Sequence, residues 1–418
     1  MKIWLINNYT MLPEHGPMTR QYYFAKELSA RGHEVTVFAG SHIHNSDIQL
    51  VEGERWKIWQ EQPFRWVYVH TLAYGKSRKK QVLSMFQFYR NTAIAAQYFR
   101  KQYGTPDVIL GSSAHPLTAL LAVRLGQKYH CKSIAEIRDL WPESIVAMGV
   151  AGARNPAVLA LRRLEKWIYK NAGAVVFTME GAYDYILEQG WDKDIPRSKV
   201  HYINNGVNLE QFDYNKEHYP IDDPALNDPS TFKVVYAGSI RLANGVDAIL
   251  DCAMCLKDEP DIRFLIYGSG GDTEALLARK EACGLDNVLF QGRVDKKYIP
   301  YVLSKSDLNL LNYFSAAAAA GLYRFGSSQN KIFDYFASGR PVVENTRTSY
   351  DLVEKYGCGV CEQIEDGAHY AAVIRRMKEL PREEYLRYCQ NARRAAEDYD
   401  FKRLTDKLMA VIDGISKK

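Results

Sequence analysis

Lys331 and Asp334 stand three residues apart in the run Gly326-Ser327-Ser328-Gln329-Asn330-Lys331-Ile332-Phe333-Asp334-Tyr335-Phe336-Ala337-Ser338-Gly339. A polar loop here enters an apolar helical pattern, and Gly339 ends that pattern before the strand-like Arg340-Pro341-Val342-Val343. A helix N-terminus offers unpaired N–H groups and the positive end of its dipole. Ser327 and Ser328 at that N-terminus therefore suit a phosphate, and Lys331 supplies a neutralising charge. Asp334, one turn further in, suits hydrogen bonds from ribose hydroxyls. The competing reading is a solvated i,i+3 pair worth roughly 0.2–0.5 kcal/mol.

Three glycine-bearing loops repeat the strand–loop–helix arrangement. In Tyr236-Ala237-Gly238-Ser239-Ile240-Arg241-Leu242-Ala243-Asn244-Gly245 two glycines bracket Arg241, a geometry that suits a pyrophosphate. Tyr267-Gly268-Ser269-Gly270-Gly271 lets backbone approach a nucleotide or sugar closely. Near the start, Pro13-Glu14-His15-Gly16-Pro17-Met18-Thr19-Arg20 pairs one glycine with a helix start, and an ordinary strand-to-helix turn explains it equally well. His115, Arg138, Asp139 and Glu143 fall at the ends of candidate strands in the first half. His115 before Pro116 suits substrate binding or simple packing. Asp139 suits orienting an acceptor hydroxyl, with a structural salt bridge to Arg138 as the competitor.

The elements that must position these residues alternate between short apolar strands and amphipathic helices, the pattern of parallel sheets wrapped by helices. Strands are expected at 2–6, 34–38, 66–70, 107–110, 133–137, 174–177 and 199–202. Helices are expected at 19–31, 117–129, 156–170 and 181–189. Asn204-Asn205-Gly206-Val207-Asn208 and the Asp-, Asn- and Pro-rich stretch to about 230 read as a linker. Beyond it strands are expected at 233–237, 263–267, 287–290, 307–311 and 341–343, then a closing helix at 401–415. The fold class is α/β with two Rossmann-like, doubly wound lobes facing a crevice at the carboxyl ends of their strands. Residues 1–205 form the first lobe, residues 206–398 the second, and the helix at 399–418 returns to the first.

With 418 residues, two lobes are expected. The net charge of +5 is small for that length, and basic residues do not cluster as in a nucleic-acid binder. No stretch reaches the roughly 18 apolar residues of a membrane span, and the N-terminal run is too short for a signal peptide, so a cytoplasmic location is expected. Gly75-Lys76-Ser77-Arg78-Lys79-Lys80 leads into Met85-Phe86-Gln87-Phe88-Tyr89-Arg90, and Arg162, Arg163, Lys166, Trp167 and Lys170 make a second basic–aromatic face. Such faces suit anionic lipid or are solvated cover for a core helix. Cys252/Cys255 and Cys358/Cys361 have the spacing of zinc ligands, but no histidine or third cysteine pair completes a compact set, so reduced thiols and no metal are expected. The Asp192/Asp194 and Asp398/Asp400 triplets read as solvated turn or helix-end charges. Ala316–Ala320 reads as a helical tract or an engineered patch.

The order of motifs resembles glycosyltransferase family 4 along nearly the whole chain. Arg31-Gly32-His33-Glu34-Val35-Thr36-Val37 is similar to the family's ARGHEVTV opening, Asn204-Asn205-Gly206-Val207-Asn208 to its PNGVD hinge, and Phe333-Asp334-Tyr335-Phe336-Ala337-Ser338-Gly339-Arg340-Pro341 to its EAMACGKPV segment. Ser113-Ala114-His115-Pro116-Leu117-Thr118, Ile137-Arg138-Asp139-Leu140-Trp141-Pro142-Glu143-Ser144 and Ser328-Gln329-Asn330-Lys331-Ile332-Phe333-Asp334-Tyr335 resemble the branch that includes N-acetyl-L-fucosamine transferases of capsule and O-antigen assembly.

The resemblance implies the GT-B fold, a UDP-sugar donor in the second lobe and metal-independent, retaining transfer. It further implies a polyprenyl-diphosphate-linked saccharide acceptor reached from the cytoplasmic face of the plasma membrane. Donor contacts would come from Gly16, Gly238, Ser239, Arg241, Gly268, Arg293, Val294, Ser327, Ser328, Lys331 and Asp334. Acceptor contacts would come from Thr19, Arg20 and Glu143, and catalytic roles would fall to His115, Arg138, Asp139, Arg241 and Lys331. Departures are plain: the family's pyrophosphate Arg and Lys are Ser239 and Asn244 here, and the first of its paired glutamates is Gly326. Two other functions keep the same fold, a UDP-sugar 2-epimerase and a non-catalytic nucleotide-sugar-binding scaffold.

Overall fold

The computed structural model describes all residues except 45, 76, 114, 315–320, 322 and 417–418. The alanine tract at 316–320 and Lys76 of the basic segment therefore lie outside the described residues. The chain forms two compact units, Met1–Asn204 with Phe401–Lys418, and Asn205–Asp400.

The first unit holds an eight-stranded sheet with spatial order β3-β4-β2-β1-β5-β6-β7-β8. Its strands are β1 (Lys2–Asn7), β2 (Glu34–Gly40), β3 (Trp56–Gln60), β4 (Arg65–Val69), β5 (Val108–Ser113), β6 (Lys132–Ile137), β7 (Ala174–Phe177) and β8 (Val200–Tyr202). Neighbours run parallel except β3, which lies antiparallel on β4 at the edge. Central strands such as β5 are buried at every residue because helices cover both faces. The Trp56-Lys57-Ile58-Trp59-Gln60 edge strand instead alternates between half-buried and exposed, so it carries no continuous apolar run and went unread in the sequence. The Arg78–Tyr103 helix, of which only the aromatic stretch was read, starts where Ser77 Oγ accepts from the Lys80 amide. The closing helix, Phe401–Ser416, packs in this unit: Phe401 stacks on Tyr23 at 4.9 Å, and Asp406 pairs with Arg31 at 2.8 Å.

The second unit holds a six-stranded, all-parallel sheet with spatial order β11-β10-β9-β12-β13-β14. Here β9 is Phe232–Ala237, β10 Ile262–Tyr267, β11 Val288–Gly292, β12 Leu308–Leu311, β13 Val342–Glu344 and β14 Gly359–Cys361. This is the strand order of doubly wound nucleotide-binding folds. Its direction reverses between β9 and β12, as that of the first sheet does between β1 and β5.

The stretch expected to be a linker is largely helical. Leu209–His218 begins at Asn208, whose Oδ1 accepts from the Gln211 amide at 2.7 Å, and Pro224–Asn227 begins at Asp223, which accepts from Ala225 and Leu226. Asp213 pairs with Arg393, while Phe212 and Leu226 are buried in the second unit. The Asn and Asp residues that look like loop punctuation act as helix caps.

Candidate functional site

At the carboxyl end of β9, Gly238 and the residues after it meet the Lys331–Ser338 helix. Lys331 Nζ donates to Tyr236 Oη at 3.0 Å and to Asn244 Oδ1 at 3.2 Å, and lies 4.6 Å from the centre of the Tyr236 ring. Tyr236 Oη in turn donates to the Ser239 carbonyl at 2.8 Å. Asn244 Nδ2 donates to the Ser239 carbonyl and hydroxyl at 2.8 and 2.9 Å. The helix is fixed to the strand by Tyr335, whose hydroxyl accepts from the Ala237 amide at 3.1 Å, and ends at Gly339 in the left-handed region. No carboxylate among the described residues pairs with Lys331. Burial lowers its pKa to about 7. A half-buried ammonium with only neutral partners is poised for an anion.

The glycines are there for close backbone approach. A Cβ on Gly268 would sit 1.8 Å from the Gly238 carbonyl oxygen, and one on Gly270 would sit 2.0 Å from that of Ile240. The two loops are laced by Gly238 N to Tyr267 O at 2.9 Å and Ile240 N to Ser269 O at 3.0 Å. Gly268→Ala is therefore expected to part the loops. It should lower the melting temperature, by about 2–4 kcal/mol of stability, and should abolish nucleotide-induced stabilisation in the same thermal scan. A wild-type response in both would sink this reading of the loop.

The other second-unit candidates fall around Lys331 to differing extents. Ser327 Oγ lies 2.7 Å from Tyr313 Oη, and the Ser328 carbonyl and hydroxyl accept from Asn205 Nδ2 at 2.9 and 2.8 Å. Asp334 is half-buried, with Lys296 Nζ at 3.9 Å, and burial raises its pKa despite that lysine. Arg241 is exposed, and no described residue pairs with it. Arg293 is exposed and Val294 half-buried just beyond β11. Gly326 has φ +94°, which explains why a glutamate does not stand there: a side chain would strain that backbone. Tyr236 and Tyr313, which hold Lys331 and Ser327, were missed in the sequence because an aromatic residue in or just after a buried strand reads as core.

In the first unit the expected acceptor residues are mostly committed to the fold. Arg20 is 4% exposed. Its guanidinium donates to Glu136 Oε1 from Nε at 3.0 Å and from a terminal nitrogen at 2.7 Å, and it also holds the carbonyls of Ile203 and Asn204. Gln21 donates to the other Glu136 oxygen at 3.0 Å. Arg20 thus serves as a brace, with its Nε, Nη1 and Nη2 all donating inside the unit. Glu143 is held by Arg162 at 2.5 Å, and Thr19 is buried beside the helix start. Gly16 has φ +147° and packs against Met11. His115 is 1% exposed, and its Nε2 lies 3.4 Å from Asn8 Nδ2. Its Nδ1 has no partner among the described residues, and burial lowers its pKa to about 4, so it is a neutral imidazole. The Arg138 amide donates to Ser113 Oγ at 3.3 Å. Arg138 and Asp139 form no ion pair within 4 Å, so the competing salt bridge is not made.

Two family models match the chain: Glycosyltransferase Family 4 over residues 16–211 and Glycosyl transferases group 1 over residues 231–379. The chain belongs to glycosyltransferase family 4. It is an enzyme of the hexosyltransferase class with the GT-B fold. It is 23% identical to WcaI of Escherichia coli K12, named for colanic acid biosynthesis as a glycosyl transferase, over 85% of this chain and 86% of that one. It is 26% identical to TuaH of Bacillus subtilis strain 168, named for teichuronic acid biosynthesis as a glycosyltransferase, over 53% of this chain and 52% of that one; the match thus spans about half of TuaH. Among solved structures, Alr3699/HepE of Anabaena in complex with UDP superposes with a TM-score of 0.66 at 13% identity, covering 99% of this chain and 100% of that one.

Proposed function

We propose that this glycosyltransferase moves a sugar, an N-acetylated hexosamine or deoxyhexosamine, from a UDP-sugar to a polyprenyl-diphosphate-linked saccharide, with retention and without metal, in the assembly of a bacterial surface polysaccharide. The observation that carries the donor half is Lys331, an ammonium without a counter-charge at the glycine-lined end of β9. Sugar transfer from a nucleotide diphosphate requires stabilising the leaving diphosphate while positive charge develops at the anomeric carbon, which fixed positive groups do best. Lys331 is the clamp, with Arg241 swinging in from the exposed loop and the Ser327–Ser328 backbone assisting. Asp334 takes the ribose hydroxyls, and the Arg293–Val294 backbone meets the uracil.

The UDP-bound state of HepE supports the choice of nucleotide. The names of WcaI and TuaH support a surface polysaccharide as the product. His115, Arg138 and Asp139 lie at the carboxyl ends of β5 and β6, where acceptor hydroxyls would be oriented. No helix among the described residues is long and apolar enough to cross a membrane, so a lipid-linked acceptor would be reached from the surface of the bilayer. The start of the Arg78–Tyr103 helix suits that role. Val82, Leu83 and Phe86 are 49, 59 and 57% exposed beside Arg78, Lys79 and Lys80. The second basic face is weaker for the same purpose, because Asp194 neutralises Lys166 and Lys170 at 2.8 Å each and Glu143 neutralises Arg162.

The test is a thermal-shift screen of the purified protein against UDP, GDP, ADP and dTDP without added metal. A UDP-selective rise in melting temperature is expected, and a flat response to all four would overturn the donor assignment. The pH dependence has a definite sign. Lys331 titrates near 7 in the free protein, and the diphosphate binds its charged form. UDP affinity should fall as pH rises above about 7, by up to tenfold per unit, when measured by calorimetry between pH 7 and 9. A flat profile would remove Lys331 from the phosphate.

A further inference from the structure

The thiol of Cys361 lies beside two buried carboxyls at the edge of the second sheet. Glu344 ends β13 and Cys361 ends β14, and the two are register partners in the parallel pair, so their side chains share one face of the sheet. Asp351, at the start of the Leu352–Tyr356 helix, closes the third side. Their ligating atoms all lie within 4.8 Å of one another, and Glu344, Asp351 and Cys361 are 1, 6 and 8% exposed.

Two further observations point to a ligand. One Glu344 oxygen accepts from Tyr313 Oη at 2.7 Å, while the other, Oε2, is buried and meets no donor among the described residues except the neighbouring carboxyl of Asp351. No arginine, lysine or histidine among them pairs with either carboxyl. Asp351 is oriented, not neutralised, by the Glu354 amide at 2.7 Å and Thr348 Oγ1 at 3.1 Å. Burying adjacent carboxyls without a cation is costly.

We infer that Glu344, Asp351 and Cys361 bind one divalent transition-metal ion of the zinc type. A thiolate with two carboxylates is a mixed sulfur–oxygen set that suits Zn²⁺, whereas Mg²⁺ and Ca²⁺ take all-oxygen shells. The C-x-x-C spacing gives no hint of it: Cys358 is buried and turned to the Val353 carbonyl at 3.7 Å, outside the set. The ion would join β13, β14 and the Leu352–Tyr356 helix. Through Glu344 it would also hold Tyr313, whose hydroxyl meets Ser327 Oγ at 2.7 Å in the loop before Lys331. The role is structural, and binding releases the protons the ligands carry.

The experiment uses the full chain, stripped with a chelator and reloaded with Zn²⁺ or Co²⁺ in the absence of any nucleotide, so it stands apart from the donor assignment. One equivalent of zinc should survive gel filtration, measured by mass spectrometry of the metal. Cys361→Ser and Glu344→Gln should each lose that equivalent. The cobalt form should show a thiolate-to-metal charge-transfer band in the near ultraviolet. The wild-type cobalt spectrum decides the matter even if a variant fails to fold. Retention of no zinc, equal retention in both folded variants, or a cobalt form without the thiolate band would overturn the site. The first of these would leave Glu344 and Asp351 sharing a proton instead.

Discussion

Replacing Lys331 by alanine is expected to lower kcat/KM by about 10²–10³-fold, the usual loss when one preorganised charge is taken from a transition state, while leaving the fold intact. The side chain donates to two neutral groups and holds no ion pair among the described residues. Its removal relieves a desolvated charge and frees Asn244 and Tyr236 to water. The helix it begins stays anchored by Ile332, Phe333, Tyr335 and Phe336, all buried. Arg241→Ala should cost less, on the order of tenfold, because an exposed side chain is held less firmly before the diphosphate arrives. Steady-state kinetics with a UDP-sugar, together with UDP calorimetry, checks both. Wild-type turnover in Lys331→Ala would remove the clamp from the mechanism, and a fallen melting temperature would mean that the lysine serves the fold.

The largest stability effect should come from Arg20→Ala. Arg20 and Glu136 are 4 and 1% exposed, and deleting the arginine leaves a buried carboxylate hydrogen-bonded by the neutral side chains of Gln21 and Ser112. The expected loss is about 3–5 kcal/mol. That corresponds to roughly 6–20 °C in the melting temperature of a unit of this size. Circular dichroism during thermal unfolding reads it. Replacing both partners together with apolar residues of similar volume should restore much of the loss, since the pair itself contributes less than breaking it costs. Burial raises the Glu136 pKa, but Arg20 outweighs it and the net shift is downward. The pair's stabilisation is therefore present above the ordinary carboxylate pKa and is lost as the pH falls through the lowered value. A loss under about 1 kcal/mol would show that the pair is solvated in solution.

Both results depend on partners far apart in the chain, and there the sequence and the structure divide. Alternating apolar runs and amphipathic stretches were legible as two parallel-sheet units, because each strand buried on both faces must itself be apolar. The glycine loops at strand ends were legible too, since Gly268 and Gly326 occupy backbone that a side chain would block or strain. The order of motifs then sufficed to suggest the family. Local chemistry also misled: the asparagines and aspartates of 204–230 suggest a linker, yet Asn208 and Asp223 cap helices whose apolar residues are too few to show a period.

What the sequence determined by itself is the set of elements and the residue types at their ends, because periodicity and backbone freedom act over a few neighbours. What only the tertiary structure decided is which end meets which. Lys331 reaches Asn244 across 87 positions, Arg20 finds Glu136 across 116, and Cys361 stands beside Glu344 and not with Cys358. Charge, burial and hydrogen bonding are properties of those meetings. The same arginine therefore reads as a substrate contact in the sequence and proves to be a brace in the fold.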